Sequence, residues 1–426
     1  MSITRRTFIK AGAVAAAAAP FGLAAPAIAQ GAKPRLVVIG GGPGGATLAK
    51  YVARDSNGAV DVTLVEPKER FATCFHSNLY LGDFKGWDEI NHGYETLTQA
   101  YGVKHVRQTA SAIDREAKTV RLGDGSDLAY DHLVVAPGID LIYESVEGYS
   151  EEVAEKLPHA WLAGPQTQLL KAQLDALEDG STIIMVAPPN PYRCPPGPYE
   201  RVSMMAHVLK AKGHTSSRII ILDPKPSFSK QALFSAGWQR YYPGMIEWQD
   251  PNIHGGIGAV DAASMTVETD FGPTEADLIN VIPAQRAGAI AVQAGLTDET
   301  GYCPILPESM RSALDEAITV LGDATIAGDM PKSGFSANSQ AKVAANAIRA
   351  ALTGSRQFPA RYANTCWSLI ADDDAVKVGG RYEPKDGKIT ATETFVSQLD
   401  EDDDLRRQTQ AENIGWYEGI VTDIFG

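Results

Sequence analysis

RLVVIGGGPGGATLAKYV, residues Arg35 to Val52, decides the fold. Arg35-Leu36-Val37-Val38-Ile39 is a continuous apolar run too short for a helix, so it predicts a strand buried on both faces. It passes into Gly40-Gly41-Gly42-Pro43-Gly44-Gly45 and then the helical Ala46 to Val52. A second strand, Val60 to Val65, ends at Glu66, 21 residues after Gly45. Gly40 permits a tight turn, Gly42 lets the backbone approach a pyrophosphate, and Gly45 lets helix and strand pack closely. The free N–H groups at the helix N-terminus then face phosphate, and Glu66 can accept hydrogen bonds from ribose hydroxyls. Strand, glycine turn, helix and spaced acid together predict a dinucleotide-binding domain.

Two later segments bear on which dinucleotide is held. Tyr130 to Val135 is a strand running into the turn Ala136-Pro137-Gly138. Ala317 to Leu321 is another, running into Gly322-Asp323 ahead of a helix at Asn338 to Leu352. These resemble the second and third FAD motifs of the glutathione-reductase-like flavoproteins. The resemblance implies cofactor contacts at Ala136, Gly138 and Asp323, with Gly328-Asp329 as a rival that does not directly follow the strand. The implied fold class is α/β, with two Rossmann-like domains. The FAD domain is discontinuous, the second domain is inserted into it, and a C-terminal interface domain follows.

The inserted domain begins as a nicotinamide-dinucleotide domain should, with the strands Ser181 to Val186 and Arg218 to Asp223, the second ending in an acid. The turn between them, Ala187-Pro188-Pro189-Asn190-Pro191-Tyr192-Arg193-Cys194, has prolines where glycines belong. Proline lacks the N–H that holds phosphate, and its ring blocks close approach. Electrons are therefore expected from a donor other than NAD(P)H. Cys194, just ahead of a helix, is placed for a dipole-stabilised thiolate and for thiol–disulfide exchange. The turn equally admits a buried structural cysteine.

Cys74, Cys194, Cys303 and Cys366 allow three disulfide connectivities, and no CxxC or His/Cys cluster suggests a metal. The net charge is −14. Thr4 to Lys10 forms a twin-arginine pattern ahead of the weakly apolar Ala11 to Ala19, with Ala27-Ile28-Ala29 spaced for cleavage before Gln30. Pro20 and Pro26 disfavour an anchor, and no later run is long enough to span a membrane. Export already folded, into the periplasm and with cofactor inserted, is the expectation. Without Arg5, Arg6 and Lys10 the basic residues fall from 38 to 35 against 52 acidic. Such a body disfavours nucleic acid and suits a basic protein partner. The acidic runs Asp372 to Asp374 and Asp400 to Asp404 read as solvated surface.

CPPGPYER (Cys194–Arg201), Thr73-Cys74-Phe75-His76-Ser77-Asn78, Met330 to Gln340, Asn364-Thr365-Cys366-Trp367-Ser368 and the final Gly415 to Gly419 together resemble the flavoprotein subunit of flavocytochrome c sulfide dehydrogenase. The resemblance covers the mature chain. It implies FAD held covalently through Cys74, a redox disulfide between Cys194 and Cys366, and Glu200 as an acid beside it. Cys303 is left without a partner. His76 and Trp367 depart from the pattern as bulky neighbours. The implied activity is oxidation of sulfide to zero-valent sulfur or polysulfide, with electrons passed to a c-type cytochrome subunit that carries the only haem. The implied organisation is a signal at 1–29, FAD-domain pieces at 30–150 and 286–355, an NAD-like domain without a nicotinamide site at 151–285, and a domain at 356–426 carrying the second active-site cysteine and the cytochrome interface. A sulfide:quinone oxidoreductase, or a non-catalytic flavin-binding assembly protein, are the competing expectations.

Overall fold

The computed structural model describes residues 32–426; the expected export signal at 1–29 lies outside the described residues. The chain opens with β1 (Arg35–Ile39), α1 (Pro43–Asp55), β2 (Asp61–Val65), α2 (Ser77–Leu81), β3 (Lys104–Val106) and β4 (His132–Val135). It continues through β5 (Thr182–Val186), α3 (Gly197–Ala211), β6 (Arg218–Leu222), α4 (Gln231–Tyr241), β7 (Ile246–Gln249) and β8 (Leu278–Val281). It then returns through β9 (Ile318–Val320) and α5 (Gly334–Thr353), and ends with β10 (Tyr362–Ala371), β11 (Asp374–Lys385), β12 (Lys388–Val396) and α6 (Asp403–Phe425).

The first sheet has the order β9-β4-β1-β2-β3 and is wholly parallel. Because β1 has neighbours on both edges and layers on both faces, Leu36 to Ile39 are all buried. Ile39 stands level with Val65 and Val135, and Val135 with Val320. This register brings Gly40, Glu66, Ala136 and Leu321-Gly322-Asp323 to one carboxyl edge, where open α/β sheets bind their ligands. Helix α5 starts at Gly334, one turn before the sequence pattern suggests, because the Ser333 hydroxyl accepts the Ser336 N–H at 3.0 Å and caps it.

The second sheet, β7-β6-β5-β8, is also parallel, and its register puts Val186, Leu222 and Val281 level. The chain leaves this edge through the proline turn. The third unit is the antiparallel meander β10-β11-β12 against α6. Its inner end corrects one expectation. Asp374 is buried, not solvated, because Arg406 of α6 donates to it at 3.1 Å. Asp372 and Asp373 remain exposed. At the far end of α6, Lys50 Nζ donates to the carbonyls of Thr422 and Asp423, both at 3.1 Å, which satisfies the orphan acceptors of the last turn. Among the described residues no helix is long and apolar enough to cross a membrane.

Candidate flavin and cysteine site

The carboxyl edge of the first sheet opens into a cavity of about 930 Å³, counting space continuous with solvent. Gly40, Gly42, Glu66, Cys74, Ala136, Gly138 and Asp323 all line it. The glycine turn is dictated by contact. Gly40 has φ +97°, and a Cβ there would sit 2.2 Å from Ala136 O. Gly45 lies behind the wall, where a Cβ would meet Gly40 O at 1.9 Å. Glu66 accepts the Gly41 N–H at 2.8 Å and the Lys68 N–H at 3.0 Å, so its carboxylate is fixed while each oxygen keeps a free lone pair. Asp323 is buried, and its Oδ1 has no protein partner. Burial raises its pKa, opposed by Arg193 and Lys332. A cradle closed to any β-carbon and a buried carboxylate oxygen awaiting a donor both fit FAD, whose ribityl hydroxyls are such donors.

Arg193, not anticipated from the sequence, reaches into the same cavity from the proline turn. Its Nη1 lies 3.8 Å from Asp323 Oδ2, and Nη2 donates to Trp161 O. Adjacency to Cys194 was visible in the sequence; the direction of the side chain was not.

Cys194 sits at φ +57°, a left-handed conformation rare for a residue with a β-carbon. Its N–H donates to Lys332 O at 2.8 Å and its carbonyl accepts the Gly197 N–H at 2.8 Å, so the turn is tied both to the approach to α5 and to the start of α3. Cys366 lies on β10, where Asn364 Nδ2 approaches its Sγ at 3.4 Å and Ser333 Oγ holds Asn364 Oδ1 at 2.6 Å. Glu200, in the first turn of α3, is 8% exposed. It accepts the Leu369 N–H at 2.9 Å and Asn78 Nδ2 at 2.8 Å, linking β10 to α2. Asn78 in turn accepts Arg201 Nε at 3.2 Å, and Arg201 is fully buried on the carbonyls of His159 and Ala160. Asn78 and Arg201 belong to quoted motifs but had not been singled out.

All four cysteines are free thiols in the structure. The expectation of a favoured Cys194 thiolate changes: burial, Cys366 and Glu200 push this thiol well above its ordinary value, against Arg193. Its Sγ packs against Gly197, the first residue of α3, where a Cβ would meet it at 3.0 Å. Burial likewise raises Cys366, against the Asn364 hydrogen bond and Lys230, and raises Glu200. Cys303 is fully buried, its thiol pushed up to about 12 mainly by that burial.

The corresponding edge of the second sheet is filled by side chains. Asp223, at the level where a ribose-binding acid would stand, is completely buried. It accepts Tyr199 Oη at 2.5 Å and Trp248 Nε1 at 3.0 Å, and pairs with Lys225 Nζ at 2.6 Å. Lys225 also donates to Pro188 O at 2.5 Å, and Phe228 stacks on Tyr199 with ring centroids 3.6 Å apart. Among the described residues no group of acids, histidines and cysteines is arranged to hold a metal.

Three family models match in succession. They are pyridine nucleotide-disulphide oxidoreductase over residues 34–161, sulfide dehydrogenase [flavocytochrome c] flavoprotein chain, central, over 167–283, and flavocytochrome c sulphide dehydrogenase, flavin-binding, over 358–425. The chain is 57% identical over 44 residues to the sulfide dehydrogenase [flavocytochrome c] flavoprotein chain of Chlorobaculum thiosulfatiphilum, covering 10% of this chain and 90% of that sequence. It is 21% identical over 305 residues to the mitochondrial sulfide:quinone oxidoreductase of Mus musculus, covering 68% of this chain and 65% of that one, less than two thirds of its length. The solved structure of the Aquifex aeolicus sulfide:quinone oxidoreductase superposes with a TM-score of 0.72 at 17% identity, covering 92% of this chain and 91% of that one. The chain belongs to the flavoprotein-chain family of flavocytochrome c sulfide dehydrogenase, within the FAD-dependent, sulfide:quinone oxidoreductase-like disulfide oxidoreductase fold.

Proposed function

We propose that the chain oxidises sulfide to zero-valent sulfur or polysulfide through an oxidised Cys194–Cys366 pair, and that it passes the electrons to a c-type cytochrome subunit in the periplasm. What supports this reading is a cavity fit for FAD that Arg193, the neighbour of Cys194, lines, together with buried Glu200 on the helix after Cys194 accepting the Leu369 N–H of the strand that carries Cys366, while Asp223 of the nicotinamide-type crevice is taken up by side chains. Hydrosulfide attacks one sulfur of the pair. The S–S bond of the disulfide breaks and a new one forms, leaving a persulfide on the attacked cysteine and a thiolate on the other. Glu200, with its pKa raised by burial, takes up and returns a proton at its carboxyl oxygens. Asn78 and the Leu369 N–H orient it. FAD, when bound, would supply a two-electron acceptor that can give up electrons one at a time. Gly40, Gly42, Gly45, Glu66, Ala136, Gly138 and Asp323 would hold it, and Cys74 would bind it covalently.

A quinone acceptor would call for an apolar face toward lipid. In α6 Tyr417, Ile420, Ile424 and Phe425 are buried in the protein, while Leu405 and Ile414 are exposed. The net charge of −14 suits a basic partner. The test is anaerobic addition of sulfide to the holoprotein, which should bleach the flavin and then reduce added cytochrome c. Bleaching followed by electron transfer to a quinone but not to cytochrome c would move the reading to the runner-up. No bleaching at all would leave a flavin-binding assembly protein.

A further inference from the structure

Lys230 immediately precedes α4, with φ +63°, a left-handed backbone disfavoured for a residue with a β-carbon. Its side chain turns into the protein, and Nζ donates to Cys366 O at 3.2 Å, Ser368 Oγ at 2.9 Å and Val376 O at 3.4 Å. The three ammonium donors thus meet three neutral oxygens, one of them on Cys366 itself. None is a carboxylate. A cation turned inward without a hydrogen-bonded counter-ion is costly unless an anion arrives beside it.

An anion does arrive in the proposed reaction. Hydrosulfide brings one negative charge into a pocket that already contains Glu200, and that charge ends on sulfur. The two buried arginines nearby are engaged elsewhere, Arg193 on Trp161 O and facing Asp323, and Arg201 on the carbonyls of His159 and Ala160. The groups that face Lys230 are Cys366 on β10, Glu200 on α3, Cys194 in the proline turn and the ring of Phe234 on its own helix. Burial brings its pKa down to about 8 against the opposing pull of Cys366, Glu200 and Cys194.

We propose that Lys230 is the positioning cation for the anionic sulfur at Cys366, whether thiolate or persulfide. The assignment rests on the sulfide-oxidation reading for its purpose, but its test does not use sulfide. The alternative is a purely mechanical role, since the three acceptors lie on β10 and β11 and the lysine also staples those strands. Mechanical and electrostatic roles separate in the pH profile of thiol reactivity.

The holoprotein is reduced with dithiothreitol and then alkylated with iodoacetamide across a pH series, with the labelled peptides quantified by mass spectrometry. In K230Q and K230M the Cys366 profile should move to higher pH, so that labelling at pH 8 slows about tenfold. In K230R, which keeps the charge, and in S368A, which loses only a staple contact, it should stay within about twofold of wild type. Labelling of Cys303 should not change between variants. A Cys366 profile in K230Q that superimposes on wild type, with only the melting temperature lowered, overturns the proposal. Should neither neutral variant fold, K230R decides, because a tenfold slowing there would show that charge is not what matters. Sulfide bleaching of the wild type is recorded in parallel. Its absence defeats the proposed function without touching the thiol profile, and an unchanged profile defeats the Lys230 assignment without touching the bleaching.

Discussion

The two Rossmann-like halves start from the same instructions and finish differently. Each has a buried parallel strand, a turn, a helix and a second strand followed by an acid. In the first half the turn is glycine, the acid Glu66 is held by two backbone N–H groups, and the space in front of them stays open. In the second the turn is proline, and the acid Asp223 is spent on Tyr199, Trp248 and Lys225. The same topology therefore forms once an open cradle and once a platform that carries Arg193, with Cys194 next to it in the chain, to the first half's cavity. A fold fixes where a site can be, while the turn residues decide whether it is a site.

The largest expected effect lies where the platform meets the meander. Cys194→Ser and Cys366→Ser should each fold, retain FAD and lose sulfide-dependent bleaching by about three orders of magnitude or more, because a lone thiol offers no disulfide electrophile. Cys303→Ser should bleach normally. Stopped-flow absorbance at matched flavin content reads all three, and normal bleaching in either of the first two would break the division of labour between the halves.

The contrast sharpens when the acids are exchanged for alanine. Asp223→Ala leaves Lys225 buried without its counter-charge and should lower stability by roughly 3–5 kcal/mol while FAD content per folded protein is unchanged. Glu66→Ala leaves two backbone N–H groups without their acceptor and should cost only about 1–3 kcal/mol, yet release adenine-side contacts and weaken FAD retention. Denaturant titration and flavin-to-protein absorbance ratios check the pair. Flavin loss confined to the Asp223 variant would reverse the reading of the two edges.

NADH should fail to bleach the flavin, and Pro188→Gly should not restore it. A single glycine leaves Tyr199, Phe228 and Lys225 still filling the crevice. Appreciable bleaching of either protein by NADH would show that the second crevice is open.

The smallest change per step is with pH. His76, two residues after Cys74, and His159 are both buried, and desolvation lowers each from 6.5 to about 3. A depressed folded pKa means their contribution is complete above pH 6.5 and is lost as pH falls toward 3. Stability should fall by about 1.4 kcal/mol per pH unit for each histidine in that window. His159→Gln should flatten the acid limb in urea titrations at stepped pH, and an unchanged slope would remove this histidine from the account.

By itself the sequence determined the α/β class, the discontinuous first half, the glycine cradle and the loss of a nicotinamide turn. Those features depend on residue type at fixed short spacing: an apolar run, a glycine where a β-carbon cannot fit, a proline where an N–H is needed. The motifs, through the resemblance they carry, also marked Cys74, Cys194, Cys366 and Glu200 as candidates. Only the tertiary structure decided that Glu200 is buried between Asn78 and Leu369, that Arg193 turns into the cavity, that Asp374 is paired with Arg406 rather than solvated, and that Lys230 reaches Cys366 from the start of a helix 136 residues away in the chain. The physical reason is the same in each case. The direction of a charged side chain follows from the burial and hydrogen-bonding needs of groups far off in sequence, and a local pattern carries no record of them.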